Sequence, residues 1–429
     1  MTTEHVVDTV VVGAGHAGLA VSRLLSSAGR DHVVLERGRV GERWRSERWD
    51  SLHLLTPNWM TRLPGWYYAG PDPEGFQPAG TFARHLGRYA ASFAAPVLTG
   101  MKVESLTVGP AGRYLLHTNH GTWRTRSVVI ATGPHATPAR PPGLERAALP
   151  VVTSDRYRNP GQLSRGGVLV VGASSSGVQI ADELARSGRE VVLAVGRHTR
   201  MPRRYRGMDA FWWLAATGRL DRTIDEVRDP VAARHEPSLQ VIGRNTGSDD
   251  DADVDLAALQ RRGVRLSGRL LGLDGHRATF GEQLADDIAD ADRRLGRFLD
   301  AVDEYVDRTG LAREVWSVRR PAPVETVSPP PVLDLHAEGI RTVVLAAGYR
   351  PDNAWVHLPV KAGDGSIRQY RGVTDAPGVY VVGQRFQHRR DSGFVHGARH
   401  DAKAVVAHLT TGSLPTPERR AALAPEENA

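Results

Sequence analysis

Cysteine is absent from all 429 residues of the chain. The sequence can therefore form no disulfide bond, supply no thiolate nucleophile and hold neither cysteine-ligated zinc nor an iron–sulfur cluster. Enzymes that reduce disulfides through a redox-active dithiol are excluded for the same reason. Lysine is also scarce, at Lys102, Lys361 and Lys403 only, so arginine carries nearly all of the positive charge.

Long apolar runs are missing too, because no stretch reaches the length that a membrane-spanning helix needs. The first residues, MTTEHVVDT, include acids and lack the basic segment of a secretory signal, so we expect a cytoplasmic protein. The formal charge of +7 comes from 55 basic and 48 acidic residues. No basic stripe with interleaved aromatics is visible, so no nucleic-acid partner is predicted.

Residues 8–37 predict a first dinucleotide-binding unit. A β-branched strand leads into Gly13, Gly15 and Gly18, which fit the G-x-G-x-x-G turn that faces a pyrophosphate. The helix that follows offers its N–H groups and dipole to an anion. Glu36 ends the next strand, where a carboxylate accepts hydrogen bonds from a ribose and disfavours a 2′-phosphate. The predicted ligand is therefore FAD or NAD.

A second unit is predicted at residues 168–195, where an apolar strand, a glycine turn and an amphipathic helix again follow one another. Its nucleotide-binding turn consists of Gly172, Ser174, Ser175, Ser176 and Gly177.

Arginine replaces the acid at the end of this second unit. Arg197 and Arg200 lie where Glu36 lay in the first, and Arg203 and Arg204 follow. A guanidinium group suits a 2′-phosphate, so NADPH is predicted in preference to NADH. The alternative is a solvated arginine-rich loop, which explains Arg203 and Arg204 better than Arg197.

The segment after Glu36 resembles a known family. The acid, a G-x-x-W turn ending at Trp44 and L-H-L-L-T-P at residues 52–57 are similar to flavin-containing monooxygenases, including the plant auxin-forming type. A-G-Y-R-P-D at residues 347–352 resembles another turn of that family. The resemblance implies that Glu36 binds the FAD ribose and that Trp44 packs on the cofactor; the alternative for Trp44 is a core aromatic.

The same resemblance implies further cofactor contacts. In addition to Glu36 and Trp44, the residues expected to contact the cofactor are Arg37, Thr132, Gly133, Gly383, Gln384 and His396. The last helix, at residues 398–409, would direct its amino end and its dipole at the flavin. His396 and His400 have the spacing of a metal-binding pair, but no acid of the zinc-protease kind accompanies them, so no metal is predicted.

The sequence departs from the family at its F-x-G-x-x-x-H-x-x-x-Y signature. With the aromatic position aligned on Tyr157, Thr153 occupies the position of the histidine. Threonine cannot carry the charge of that histidine, so the subclass stays open, Baeyer–Villiger oxygenation in particular.

The predicted fold is α/β, with two dinucleotide-binding (Rossmann-like) domains, the NADPH domain being inserted into the FAD domain. The boundaries are an FAD domain at 1–163 and 336–411, an NADPH domain at 164–335 and a disordered tail at 412–429. Between the motifs, residues 211–214 predict a buried helix face and residues 249–255 a solvated acidic loop rather than a calcium site. Residues 285–309 predict an amphipathic helix that serves as a lid or a dimer surface.

The predicted function is that of an FAD-dependent, NADPH-consuming monooxygenase that inserts one atom of O2 into a small organic substrate through a C4a-(hydro)peroxyflavin. N- or S-oxygenation is favoured over Baeyer–Villiger oxygenation, and Asn58 is the candidate catalytic residue. One alternative is an NADPH-dependent reductase or oxidase that passes electrons to a quinone, a partner protein or O2. A non-catalytic flavin-binding regulator and a peroxide-leaking monooxygenase stay open as well, as does a homodimer.

Overall fold

The computed structural model describes residues 4–236, 239–241, 254–326 and 328–414. In this part of the chain the strands are β1 Glu4–Val12, β2 His32–Glu36, β3 Arg62–Leu63, β4 Trp66–Tyr67, β5 Val97–Thr99, β6 Val103–Val108, β7 Tyr114–Thr118, β8 Gly121–Ile130, β9 Thr137–Pro138, β10 Val151–Thr153, β11 Gly167–Val171, β12 Val191–Ala194, β13 Thr199–Met201, β14 Arg204–Tyr205, β15 Met208–Asp209, β16 Leu239–Val241, β17 Arg265–Ser267, β18 Leu270–Asp274, β19 Arg277–Phe280, β20 Val332–Asp334, β21 Ile340–Leu345, β22 Tyr349–Arg350 and β23 Val379–Val381. The α-helices are α1 His16–Ser27, α2 Glu42–Ser46, α3 Ala79–Ser92, α4 Ser175–Arg186, α5 Ala210–Ala216, α6 Pro230–Arg234, α7 Leu256–Arg261, α8 Leu284–Thr309 and α9 Val395–Thr411. Most of the predicted acidic loop at 249–255 and the tail from residue 415 lie outside the described residues.

The first sheet is built around β1. Its strands run in the order β5-β2-β1-β8-β7-β6, and β23 pairs with β8. Val10, Val11 and Val12 are buried, as a continuous β-branched run predicts. β1 is parallel to β2 and β8, and β8 to β23, so the carboxyl ends of these four strands meet at one edge. Helices α1, α3 and α9 cover the face that carries Val11 and Val34.

The second sheet has the order β10-β21-β11-β12-β17, and all of its neighbouring strands are parallel. Val168 and Val170 of β11 pack against α4 and α7 on one face. Leu169 and Val171 point to the opposite face, which the antiparallel sheet of β18, β19 and β20 covers. Each sheet therefore has its own apolar core, as expected for two separate dinucleotide-binding units.

Two short strands connect the sheets. β9 and β22 pair in antiparallel fashion, Tyr349 opposite Pro138 and Arg350 opposite Thr137. The predicted boundaries assigned residues 151–153 and 340–345 to the first unit, whereas β10 and β21 are hydrogen-bonded in the second sheet. The second unit thus extends from β10 to β21, because its central strand β11 needs β21 as a parallel neighbour.

Strands β5 and β6 have different roles in the first sheet. β5 pairs with β2, whereas β6, β7 and β8 form an antiparallel meander. Phe211 and Trp213 of α5 are buried, as predicted, against the apolar face of α8 at Phe298 and Val302. Among the described helices, none combines the length and apolar character of a membrane span.

Candidate functional site

The first glycine turn lies at the carboxyl edge of the first sheet. Gly13 adopts φ +109°, a conformation that side chains rarely tolerate. A side chain at Gly18 would collide with the carbonyl oxygen of Gly13, so only glycine lets α1 approach β1 this closely. At Gly15 a Cβ atom would meet no described atom within 4 Å. The turn therefore leaves open space directly in front of the amino end of α1, where a pyrophosphate fits.

Glu36 faces this turn from the end of β2. Its carboxylate accepts hydrogen bonds from the backbone N–H of Ala14 at 2.7 Å and of Gly38 at 2.8 Å, and its side chain is 9% exposed. A carboxylate has about four acceptor positions, so these two bonds fix its orientation and leave capacity for ribose hydroxyl groups. The residues present thus fit the adenosine half of FAD.

The second glycine turn repeats the first in detail. Gly172 has φ +107° and donates its N–H to Ala194 at 3.0 Å, as Gly13 with φ +109° donates to Leu35 at 2.8 Å. A side chain at Gly177 would collide with the carbonyl oxygen of Gly172. The turn residues Ser174, Ser175 and Ser176 are half-buried at the amino end of α4. This end of the second sheet can therefore hold a second dinucleotide.

The predicted arginines of the second unit have different environments. Arg200 is 3% exposed, and its guanidinium group pairs with Asp255 at 2.7 Å and with Asp292 at 2.5 Å. Arg203 is buried as well and pairs with Asp209. Both guanidinium groups are engaged in buried ion pairs, so neither is available to a phosphate. Only Arg197 is exposed at the carboxyl end of β12.

Arg269 is a cofactor candidate that the sequence reasoning missed. It follows β17, the neighbour of β12, and its side chain passes 3.5 Å from the Cβ position of Gly196. Arg197 directly follows Gly196, so both arginines lie at the same edge of the second sheet, and both are exposed. A guanidinium pair at one sheet edge suits a 2′-phosphate. The available signal was an arginine directly after a strand end.

Trp44 and Arg37 belong to the segment after β2. Trp44 is half-buried, packs edge-on against Phe82 with ring centroids 5.0 Å apart, and has the Arg48 guanidinium over its ring at 5.2 Å. Arg37 is exposed and pairs with Glu47 at 3.3 Å. The core packing of Trp44 and a contact with a cofactor are compatible, because one part of its ring stays accessible.

The remaining predicted contacts converge on the same edge of the first sheet. Thr132 and Gly133 begin two residues after the end of β8, and Gly383 and Gln384 begin two residues after the end of β23, so all four lie at the carboxyl edge of the first sheet. Gly383 has φ +75°, and a Cβ atom there would lie 2.9 Å from Ala17 of α1. The close packing of this loop on α1 places both segments beside the first glycine turn.

His396 lies in the first turn of α9, one turn before His400. Burial lowers the pKa of both imidazoles to about 3, so both are neutral near pH 7. Asp391 adds a third potential ligand, since the donor atoms of these three residues lie within 4.8 Å of one another. However, Arg399 donates hydrogen bonds to Nε2 of His396 at 3.1 Å and of His400 at 3.2 Å. A metal bound at these Nε2 atoms would therefore have to displace the Arg399 guanidinium group.

Asn58 lies in the segment between β2 and α3 and forms a hydrogen bond within it. It is 5% exposed, its Nδ2 donates to the carbonyl oxygen of Asp72 at 2.8 Å, and its Oδ1 has no hydrogen-bond partner among the described residues. This bond gives Asn58 a structural role. Its catalytic role stays a prediction.

We expect Asn58→Ala to lower the free energy of unfolding by about 0.5–1.5 kcal/mol, because its partly buried hydrogen bond to the carbonyl oxygen of Asp72 is lost. Asn353→Ala is a matched control: Asn353 is 8% exposed and also donates to a loop carbonyl, that of Gly365 at 3.0 Å. Denaturant unfolding should give similar losses for the two variants. If Asn58 also acts in catalysis, only its variant will divert NADPH consumption from product to hydrogen peroxide, and unchanged coupling would rule that role out.

Thr153 and Tyr157 are buried beside the second sheet. Thr153 ends β10, and the Tyr157 hydroxyl donates to Glu183 of α4 at 2.8 Å. The same carboxylate accepts a hydrogen bond from Ser51 at 2.8 Å, which ties the segment after α2 to the second unit. Tyr157, the aromatic residue of the family's signature, thus stabilises the packing against α4, whereas Thr153 supplies no ionisable group.

Comparisons with known proteins agree with this architecture. A family model described as pyridine nucleotide-disulphide oxidoreductase matches residues 10–214. A protein from Geobacillus kaustophilus named uncharacterized oxidoreductase CzcO-like is 30% identical over 409 residues, which cover 94% of this chain and 98% of that protein. The probable indole-3-pyruvate monooxygenase YUCCA4 of Arabidopsis thaliana is 31% identical over 211 residues, 47% of this chain and 50% of that protein.

Among solved structures, a flavin-containing monooxygenase from Stenotrophomonas maltophilia superimposes with a TM-score of 0.64 at 19% identity, covering 95% of this chain and 98% of that one. At this identity the likeness shows the fold alone. Together the matches confirm the predicted α/β fold and the resemblance to flavin-containing monooxygenases.

Proposed function

Because this chain belongs to the family of CzcO-like oxidoreductases, we propose that it is an FAD-dependent, NADPH-consuming monooxygenase that transfers one oxygen atom of O2 to a small organic substrate. The observation that supports the proposal is the pair of glycine turns: the Glu36 carboxylate accepts a hydrogen bond from the first turn, and the exposed Arg197 replaces that acid at the matching strand end of the second unit. The absence of cysteine excludes the dithiol chemistry of related disulfide reductases. N- or S-oxygenation is favoured over Baeyer–Villiger oxygenation because Thr153 replaces the family's histidine.

The first unit would hold FAD. The N–H groups of α1 and the open space at Gly15 receive the pyrophosphate, and Glu36 binds the ribose. Thr132, Gly133, Gly383 and Gln384 line the edge at which the isoalloxazine ring would lie. The helix dipole at the amino end of α9 favours negative charge on that ring, and His396, held neutral by burial, contributes no charge of its own.

The second unit would hold NADPH, with the pyrophosphate at residues 172–177 and the 2′-phosphate between Arg197 and Arg269. When bound, FAD supplies hydride acceptance and O2 activation. The chain contributes orientation of the two cofactors and exclusion of water by the loops after β2, β8 and β23. None of these tasks requires a side-chain general base.

Coenzyme choice provides a test of the arginine pair. We expect Arg197→Ser and Arg269→Ser each to raise the KM for NADPH roughly 10- to 100-fold, the effect of losing one hydrogen bond to a charged group, and to leave the KM for NADH unchanged. Steady-state reduction kinetics with both coenzymes measure this. Arg200→Gln is the contrasting variant, because it should lower thermal stability without changing the preference for NADPH over NADH. Equal increases in the KM values for NADPH and NADH would refute the assignment of Arg197 and Arg269 to the 2′-phosphate.

The oxygenation itself can be tested by product analysis. The FAD-loaded protein is incubated with NADPH and 18O2 in the presence of tertiary amines, thioethers and cyclic ketones, and products are analysed by mass spectrometry. Incorporation of a single 18O atom into an N-oxide or sulfoxide is the expected result. NADPH consumption that yields only hydrogen peroxide, or that requires a quinone acceptor, would favour an oxidase or a reductase instead.

A further inference from the structure

Positive charge exceeds negative charge at the amino end of α9. Arg62 lies on β3, which packs against α9, Arg389 lies in the loop before α9, and Arg399 lies in the second turn of that helix. Burial, followed by the charges of Arg62 and Arg389, lowers the pKa of Arg399. The nearby carboxylates, Asp221 and Asp391, are both held by Arg389. Within the described residues, no carboxylate lies within ion-pair distance of Arg62 or Arg399.

Arg399 has only neutral partners. Its Nε and Nη2 donate to His400 and His396, both of which burial keeps uncharged. Arg62 is exposed on β3, which packs against α9, and its Nε donates to the carbonyl oxygen of Trp59 at 3.1 Å. A half-buried cation without a counter-charge is costly, and an anionic ligand would remove that cost.

Apolar groups adjoin this cation pair. Phe394, the residue before α9, packs edge-on against Phe211 with ring centroids 5.6 Å apart, and the same apolar cluster includes Met60 and Trp59. The Nε1 of Trp59 is a buried donor with no partner among the described residues. The surroundings therefore combine two guanidinium groups with an aromatic wall and one spare N–H donor.

Resting on the proposed function, we propose that Arg62 and Arg399 bind the carboxylate of the substrate, whose apolar body lies against Trp59 and Phe394. The substrate class is thus a monocarboxylate with an aromatic or aliphatic body. The cluster lies at the start of α9, which follows the β23 loop at the carboxyl edge of the first sheet. A substrate held there by its carboxylate would lie beside the proposed isoalloxazine position.

A metal ion fits this cluster less well than an anion. Asp391, His396 and His400 have suitable spacing, but Arg389 binds Oδ1 of Asp391, and Arg399 donates to Nε2 of both histidines. A divalent cation would have to displace both guanidinium groups and would add to a local excess of positive charge. The same groups attract a carboxylate, for which guanidinium is the best-matched protein partner.

Calorimetric titration of the FAD-loaded protein tests the proposal without depending on turnover. The probes are matched pairs of acid and amide (benzoate and benzamide, phenylacetate and phenylacetamide, 3-(methylthio)propanoate and its amide), together with inorganic phosphate and Zn²⁺. We expect at least one acid to bind roughly 10- to 100-fold more tightly than its amide. Arg399→Gln and Arg62→Gln should remove that preference, and Arg399→Lys should keep part of it.

Arg113→Gln is the matched control, since it removes the same charge from an exposed position between β6 and β7. It should leave the preference for acids intact. No preference for any acid over its amide, binding of Zn²⁺ with release of protons, or equal loss in Arg113→Gln would each overturn the proposal. Selective acid binding in a protein whose FAD is not reduced by NADPH would refute the monooxygenase function while leaving the anion site standing. Reduction of the FAD by NADPH in a protein that binds acids no more tightly than their amides would refute the anion site while leaving the monooxygenase function standing.

Discussion

The Gly15→Val variant is expected to fold normally and to lose most of its FAD. The structure offers open space at Gly15, since no described atom lies within 4 Å of a Cβ built there, and its extended backbone accepts any residue. The pyrophosphate of FAD needs that same space to reach the N–H groups of α1. We expect FAD to bind on the order of 100-fold more weakly, about 2.8 kcal/mol.

The flavin absorbance relative to the protein absorbance of the purified variant measures this loss, and thermal unfolding of the apo-protein checks the fold. Gly296→Ala is the control. Gly296 lies within α8, and a Cβ atom there also meets nothing within 4 Å. It should retain the full FAD content and be slightly more stable, because alanine favours a helix over glycine. A Gly15→Val protein that carries FAD at the wild-type level would contradict the assignment of the first turn.

The Gly177→Ala variant should show the reverse pattern, with FAD bound but no longer reduced by NADPH. The added methyl group would meet the carbonyl oxygen of Gly172, a backbone atom at the end of β11, so α4 must move away from the sheet. That movement displaces the N–H groups proposed to bind the NADPH pyrophosphate. We expect the rate of flavin bleaching under anaerobic conditions to fall roughly 100-fold or more.

Rapid mixing with NADPH measures the bleaching rate, and dithionite serves as a control because it reduces flavin without a nucleotide site. Dithionite should bleach the variant fully. The two glycine variants together separate the units, one losing FAD and the other losing only the response to NADPH. If the Gly177→Ala variant also lost FAD, the two dinucleotide-binding units would not be structurally independent.

Local patterns in the sequence were sufficient for the two turns. Gly13 and Gly18 are specified by close backbone approach and Gly15 by the open space before α1, and Glu36 follows at the end of the adjacent strand, so the whole arrangement lies within one short segment. The helix α8 was equally predictable, because its apolar residues recur at helical spacing over 26 residues.

Contacts between distant segments could not be predicted in the same way. Arg200 resembles a phosphate ligand in sequence, yet its partners Asp255 and Asp292 lie 55 and 92 residues further along the chain. Arg269 reaches the coenzyme edge only because β17 pairs with β12. The grouping of Asp391 with His396 and Arg399 likewise depends on how the loop after β23 folds back on α9. Composition and residue spacing do not indicate which distant segments come into contact in the fold.

The most direct test of the central claim is a two-step rapid-mixing experiment on the FAD-loaded protein. NADPH is added without oxygen, oxygenated buffer follows, and the flavin spectrum is recorded throughout. We expect NADPH to bleach the flavin faster than NADH does, and the oxidised spectrum then to return with a delay, because the loops around the first site exclude water and protons. Failure of NADPH to bleach the flavin, or immediate reoxidation with stoichiometric hydrogen peroxide, would contradict a monooxygenase.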